Sequence, residues 1–335
     1  DLFRPAVRLR AGDPAARLSG GAVAASHTVA GEFPWRNAAA LERLRDEPAQ
    51  MPSGTIGKSG FLRLGFERRD DTTILADLDR RVPYLAQRAL HPDEALPDLA
   101  HVFLITSSGC LLQGDRLALE VALGPGARAH VTSQSATKIH TMDVNLAVQR
   151  QTFTLDDGAY LEFLPEPLIP HRRSRFASET VITVAPTATL LYSEIVQSGR
   201  KHHHADECFG ATLLALTSEA RRPDGRLLYA ENLVFEPGRN PPRQTGVMDA
   251  FDVFGNVVLL TPTAEADRIA ARVGADVDLK AGVAHGACRL PNDAGLIYKV
   301  LGRETLQVKA KVREFWGIVR EEVTGASIPA PYFWR

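Results

Sequence analysis

A mainly β fold, sandwich-like or made of coiled antiparallel sheets with about two α-helices, is what this 335-residue sequence predicts. Three observations lead there. Apolar residues recur on alternate positions in short runs: Leu117, Leu119, Val121 and Leu123 are separated by Ala118, Glu120 and Ala122, the spacing of a strand with one buried face. Turn formers punctuate these runs at short intervals, among them Gly124-Pro125-Gly126, Asp157-Gly158 and Arg222-Pro223-Asp224-Gly225. Helical signals are confined to two stretches, near 262–273 and 303–321.

Taken in order, residues 1–57 are rich in Gly, Ala, Pro and Arg without a sustained period. They are expected to form a poorly ordered extension with at most one short helix near Ala38 to Leu44, ahead of one β-rich domain over 58–335. Phe61, Leu62, Leu64 and Phe66 begin the first strand, and Thr72 to Leu78, Val82 to Leu90 and His101 to Thr106 continue in that style. The run from Leu117 and the alternating Ala127, Ala129 and Val131 read as a hairpin across Gly124-Pro125-Gly126. Val148 to Leu155 and Tyr160 to Leu164 flank Asp157-Gly158. Further strands are expected at Val181 to Val184, Thr189 to Val196, Ala211 to Leu216, Arg226 to Phe235 and Asn256 to Leu260. Thr261-Pro262 suits a helix start before Ala264 to Val273, and Val308, Val312, Phe315, Trp316 and Val319 form an apolar face at helical spacing. The tail from Pro329 carries Tyr332, Phe333 and Trp334, which should dock on this chain or on another subunit.

Composition narrows the function classes. With 39 basic against 40 acidic side chains the net charge is −1, which argues against nucleic acid as a partner, since phosphate binding needs a cationic excess. No apolar run approaches the roughly 18 residues of a membrane helix, and the first 30 residues lack a basic start followed by an apolar block. A cytoplasmic location is the expectation. Cys110, Cys208 and Cys288 are odd in number and widely spaced, so free thiols are expected rather than a disulfide framework or structural zinc.

The candidate chemistry is sparse. Polar groups crowd two lips beside the central strands: Gly109 to Asp115, and Thr132 to Lys138. They suit either a site or a solvated loop. The run Gly199-Arg200-Lys201-His202-His203-His204-Ala205-Asp206-Glu207 is the most conspicuous, because imidazole binds nickel, copper and zinc in its neutral form. If the stretch is extended, His202 and His204 share a face and Glu207 adds an oxygen. Arg200 and Lys201 repel a cation, so either a transient metal contact or a polar surface loop fits. His202, His204 and Glu207 also approach the metal motif of a cupin-like β-barrel enzyme, without its second motif. Glu162 and Glu166 are separated by a proline, so a paired-carboxylate reading has no fixed distance. No nucleophile elbow, phosphate loop or dinucleotide fingerprint is present.

Taken together, the motifs resemble those of the urease accessory protein UreD (UreH) family. That family carries Gly-Gly-Leu-Val-x-Gly-Asp, matched by Gly109-Cys110-Leu111-Leu112-Gln113-Gly114-Asp115, and a Gly-Pro-Gly-Ala turn, matched at Gly124 to Ala127. Its Thr-Thr-Gln-Ala-Ala-Thr-Lys is similar to Thr132-Ser133-Gln134-Ser135-Ala136-Thr137-Lys138. Its Gly-Ala-x-Leu-Glu-Trp-Leu-Pro-Gln-Pro is similar to Gly158 through Pro167. Gly199-Arg200 and Glu207-Cys208-Phe209 follow in the same order. Cys110 and Asp206 stand where the family has glycine, and the His-rich insertion lengthens the loop before Glu207.

The resemblance implies a non-catalytic scaffold for urease maturation. Such proteins are similar in binding UreF, through it the GTPase UreG, and apo-urease, an assembly that leaves room for a dimer. They help deliver nickel through a polar internal passage, with no tightly bound cofactor and only transient nickel. On that reading Asp115, Glu162 and Glu207 offer oxygen to the metal, and His202 and His204 touch it near an opening. Thr132, Thr137 and Lys138 would line the passage, while Gly114 and Arg200 support the local backbone or loop.

Overall fold

The period-two runs become strands, but they pair differently from the antiparallel expectation. The computed structural model describes residues 9–10 and 57–329. Within them one eight-stranded sheet contains β1 (Leu9–Arg10), β3 (Thr72–Arg81), β2 (Ser59–Arg69), β6 (Arg116–Leu123), β9 (Ala147–Leu155), β12 (Arg175–Val184), β14 (Leu213–Arg221) and β15 (Leu227–Phe235), in that spatial order. The second sheet runs β17 (Asp276–Asp278), β18 (Val283–Arg289), β19 (Gly295–Gly302), β16 (Val253–Leu260), β13 (Thr189–Gln197), β10 (Tyr160–Phe163), β7 (Arg128–Ser133), β5 (Ala100–Thr106) and β4 (Tyr84–Ala86). The short β11 (Leu168–Pro170) pairs with β13, and β8 (Thr137–Ile139) pairs with β11. Mainly β is therefore correct.

The antiparallel pairing is not. From β2 through β6, β9, β12 and β14, and from β5 through β7, β10 and β13, every neighbour is parallel. Antiparallel pairs are confined to the flanks. The expected hairpin at Gly124-Pro125-Gly126 is an arch instead: β6 lies in one sheet and β7 in the other. Asp157-Gly158 and Pro186-Thr187 repeat the manoeuvre between β9 and β10 and between β12 and β13.

The three arches stack. Gly126 N donates to Asp157 O at 2.9 Å, Gly158 N to Thr187 Oγ1 at 3.0 Å, and Thr187 Oγ1 to Asp157 Oδ1 at 2.7 Å. Gly126 and Gly158 both have positive φ, at 65° and 68°, which glycine adopts without strain. Each arch thus hydrogen-bonds to the next, so the strands add in parallel and the chain coils between two sheets.

Between the sheets lies the larger core, including Leu62, Leu64, Phe66, Leu119, Val121, Phe153, Phe163 and Tyr192. The Phe163 and Tyr192 rings stack at 5.6 Å and Phe153 meets Phe163 edge-on at 4.8 Å. Helices α1 (Thr263–Arg272) and α2 (Thr305–Thr324) cover the outer face of the second sheet. All five apolar residues read from the α2 stripe are buried there against Leu191, Val257, Leu259 and Val300. Burial of each such side chain contributes about 1.5–3 kcal/mol.

The start of α1 falls one residue later than expected, with Pro262 as the N-cap. Strands β17 to β19, and the short β8 and β11, had no counterpart in the sequence reading. The helix near Ala38 to Leu44 and the aromatic residues of the C-terminal tail lie outside the described residues.

Candidate functional site

Alternation along a strand decides which side chains enter the space between the sheets. In β9 the inward set is Gln149, Gln151, Phe153 and Leu155, and in β12 it is Phe176, Ser178, Thr180, Ile182 and Val184. One end of the intersheet space is thus apolar and the other polar. Register turns the polar positions into rows. Gln151 pairs with Thr180, Thr180 with Ser218 and Ser218 with Glu231 across four strands of the first sheet. In the second sheet Glu194 pairs with Asn256 and Asn256 with Lys299.

These groups bond to one another. Gln151 Nε2 donates to Thr180 Oγ1 (3.2 Å) and Tyr192 Oη (3.3 Å), Gln149 Nε2 to Tyr84 Oη (2.9 Å), and Asn256 Nδ2 to Glu231 Oε2 (2.7 Å). Lys299 Nζ forms an ion pair with Glu231. Beside them lies a cavity of about 70 Å³, lined by Gln149, Gln151, Ser178, Glu194, Thr137 and Glu166 among others. One water needs only about 10–15 Å³, so the cavity has room for several. Burial pushes the Glu194 carboxyl up to about 7, with Glu231 adding to the rise against the hydrogen bond from Tyr192. Near neutrality Glu194 therefore exchanges its proton easily.

Of the residues read from the sequence, Thr137 and Glu166 line this cavity. The others lie elsewhere. Asp115 is fully buried and clamps a loop, accepting from Lys58 N and Leu112 N at 2.8 Å each. Gly114, at φ 79°, makes the turn that brings Asp115 back onto Leu112. Replacing Asp115 by Ala leaves two backbone donors without an acceptor, and is expected to lower unfolding free energy by about 2–4 kcal/mol in urea titrations. A loss under about 0.5 kcal/mol would show that the clamp is dispensable.

Thr132 Oγ1 donates to Leu164 O at 2.7 Å, and Lys138 is exposed. Glu207 is gripped at both oxygens by Arg200, Nη2 to Oε1 at 2.5 Å and Nε to Oε2 at 3.2 Å, and also accepts from Arg172 N at 3.0 Å. The bond from Arg200 holds its carboxyl at about 2. The histidine run is turned rather than extended. His203 N donates to Arg200 O, and His204 accepts from Asp206 N to cap the short 3-10 turn Ala205–Glu207. His202 lies 3.4 Å from Glu304. Among the described residues no group of three or more His, Cys, Asp or Glu is arranged to hold a metal ion.

Glu162 sits on the opposite face of its sheet, beneath α2. It accepts from Tyr160 Oη at 2.7 Å, lies 2.6 Å from His130 Nδ1 and 3.6 Å from Arg320 Nε, and all of its surface is buried. Burial opposes its ionisation. The hydrogen bond from His130 and the charge of Arg320 outweigh it and hold the carboxyl at about 2. Burial pushes His130 down, against the hydrogen bond and charge of Glu162, which pull it up.

The family model for the UreD urease accessory protein matches residues 58–335. The chain belongs to the UreD family. It is 54% identical over 299 residues to a urease accessory protein UreD of Photorhabdus laumondii, covering 89% of this chain and 93% of the relative. A Yersinia pseudotuberculosis urease accessory protein UreD is 52% identical over the same shares. Urease accessory protein UreD 2 of Brucella suis is 48% identical, over 88% of this chain and 97% of its own.

Membership in the UreD family makes this chain a urease maturation accessory and not an enzyme. The cupin-like alternative is not favoured, since Glu207 is engaged by Arg200 and the run holding His202 and His204 is turned. Among the described residues no helix is long and apolar enough to cross a membrane. The sequence reading missed Glu194, Glu231, Asn256, Lys299, Gln149 and Gln151. The available signal was a polar residue at the inward parity of an otherwise apolar strand, as Glu194 is among Leu190, Tyr192 and Val196.

Proposed function

We propose that the polar belt between the sheets is the passage through which this UreD-family chain conducts nickel toward urease. The facing rows of inward polar side chains, joined to a polar-lined cavity in an otherwise apolar core, carry this reading. A buried row of amide and hydroxyl groups ending in half-buried carboxylates is costly to fold unless it serves something hydrophilic. Oxygen donors hold nickel loosely enough to pass it on, because nickel prefers nitrogen and sulfur for tight binding. Glu194 and Glu231 supply the charge, and Gln149, Gln151, Ser178 and Asn256 the neutral oxygens.

On the same reading the chain works in the cytoplasm as the β-rich domain over 58–335, holding UreF and, through it, the GTPase UreG against apo-urease. His202 and His204, exposed beside the loop of Glu207, remain the candidate contacts near an opening. Asp115, Glu162, Arg200 and Glu207 act by keeping the walls in shape.

Glu194→Ala is expected to lower the nickel content and activity of urease matured in its presence about tenfold or more. Pull-down of urease subunits and UreF should be unchanged. Wild-type activation by Glu194→Ala combined with the cavity-filling Ser178→Leu would overturn the passage. With the wild-type chain, nickel transfer should fall as pH drops below about 7, since Glu194 takes up a proton there.

A further inference from the structure

We infer that His140 and His171 form a two-imidazole docking site for a divalent transition-metal cation, at the strand ends beside the cavity. This extends the passage reading to the cavity's rim and rests on that reading for its purpose, though not for the binding.

The short parallel pair β8 and β11 places Thr137 opposite Leu168, Lys138 opposite Ile169 and Ile139 opposite Pro170. The next residue on each strand is a histidine, and His171 N donates to Ile139 O at 2.9 Å while His140 N donates to Leu111 O at 2.9 Å. His171 is thereby bonded to the residue that precedes His140, and the Leu111 bridge fixes His140 from the other side, which holds the two side chains as neighbours. Their ring centroids are 5.6 Å apart and the planes are inclined by 56°. Two imidazoles sharing one cation at metal–nitrogen distances of about 2.1 Å have centroids roughly 4.5–6 Å apart, a range that includes this spacing.

A second observation points to a ligand. His171 is 5% exposed and its Nε2 is buried without a hydrogen-bond partner. An orphaned buried ring nitrogen is expensive unless something completes it. His140 is exposed, and its Nδ1 lies 3.1 Å from Thr141 O, which leaves Nε2 outward for a metal.

The surroundings keep binding weak. Lys138 and Arg200 face His171, but Arg200 is neutralised by its paired contact with Glu207. Two imidazoles leave the remaining positions of a borderline cation such as Ni²⁺ to water, which suits capture and release. Thr137 and Leu168, both cavity-lining, lie three residues back along each strand, about 10 Å away.

The test is Ni²⁺ binding to the full chain by calorimetry, in a background carrying His202→Ala, His203→Ala and His204→Ala to remove the exposed run. That background should retain one weak equivalent of Ni²⁺. His140→Ala, a surface change, should weaken it about tenfold or more, and His171→Phe likewise, with metal-free melting curves unchanged for His140→Ala. Unchanged affinity in His140→Ala, or no binding in the background, would overturn the site. Urease activation by Glu194→Ala reports on the passage separately. Loss of binding in His140→Ala would support the pair even if Glu194→Ala activates normally.

Discussion

Arg320→Ala should lower the unfolding free energy by about 3–5 kcal/mol, the usual consequence of removing one partner from a buried ion pair. Arg320 lies on the sheet-facing side of α2 with none of its surface exposed, paired with Asp93 and 3.6 Å from Glu162 Oε1. Without the guanidinium, two carboxylates remain under the helix. Asp93 keeps the bond from Ala95 N, and Glu162 keeps Tyr160 and His130. Neither set neutralises a charge that water no longer reaches. The guanidinium also lies 5.8 Å from the Trp316 ring centroid, so its loss loosens the packing of α2 as well. Arg320→Lys keeps the charge but not the planar fork, and should fall between wild type and alanine. The measurement is the urea midpoint at pH 7.5. A loss below about 1 kcal/mol for Arg320→Ala would mean that α2 is held by its apolar stripe alone.

Lowering the pH should destabilise the fold in two successive windows. Burial, and after it the neighbouring His130, push His101 down to about 3, and burial pushes His130 down as well. Their rings stack with centroids 5.2 Å apart. Between the ordinary histidine pKa of about 6.5 and the folded value, the unfolded chain binds protons that the folded chain refuses, so stability falls as pH drops through that range. Glu162, held at about 2, adds a second loss below about 4.5, where the unfolded carboxyl takes up a proton first. Each such proton steepens the decline by about 1.4 kcal/mol per pH unit. Chemical denaturation at pH 7.5, 6 and 5 in a Glu194→Gln background, which removes the opposing gain from the carboxyl held at about 7, should show the midpoint falling throughout, with a smaller slope when His101→Phe is added. Equal midpoints at pH 7.5 and 5 would mean that these rings are solvated and titrate normally.

Reading the sequence found most strands from β2 to β16 because alternation is a local property, carried by residues two apart, and it found both helices from their apolar stripes and start signals. Strands β17 and β18 escaped because segments such as Ala284 to Ala287, with His285 and Gly286, carry little contrast between their faces, whereas β19, apolar on both faces, has no clean period of two. The candidate site was legible only in part. Thr137 was identified, whereas Asp115 and Glu207 proved to be a backbone clamp and an arginine partner. A motif marks residues that matter without saying whether they face a cavity or hold its walls.

Sequence by itself determined that this chain is β-rich, that it carries the UreD motifs and that it lacks the usual catalytic signatures, since each of these is written in neighbouring residues. Only the tertiary structure decided that the glycine turns are arches. Leu119 pairs with Gln151, and Gln151 with Thr180, about 30 residues apart, and such contacts leave no periodic trace inside a single strand. The polar belt follows from that register. Glu194, Asn256 and Lys299 come from three strands far apart in the chain, and they form one row because the sheet's hydrogen bonds align them.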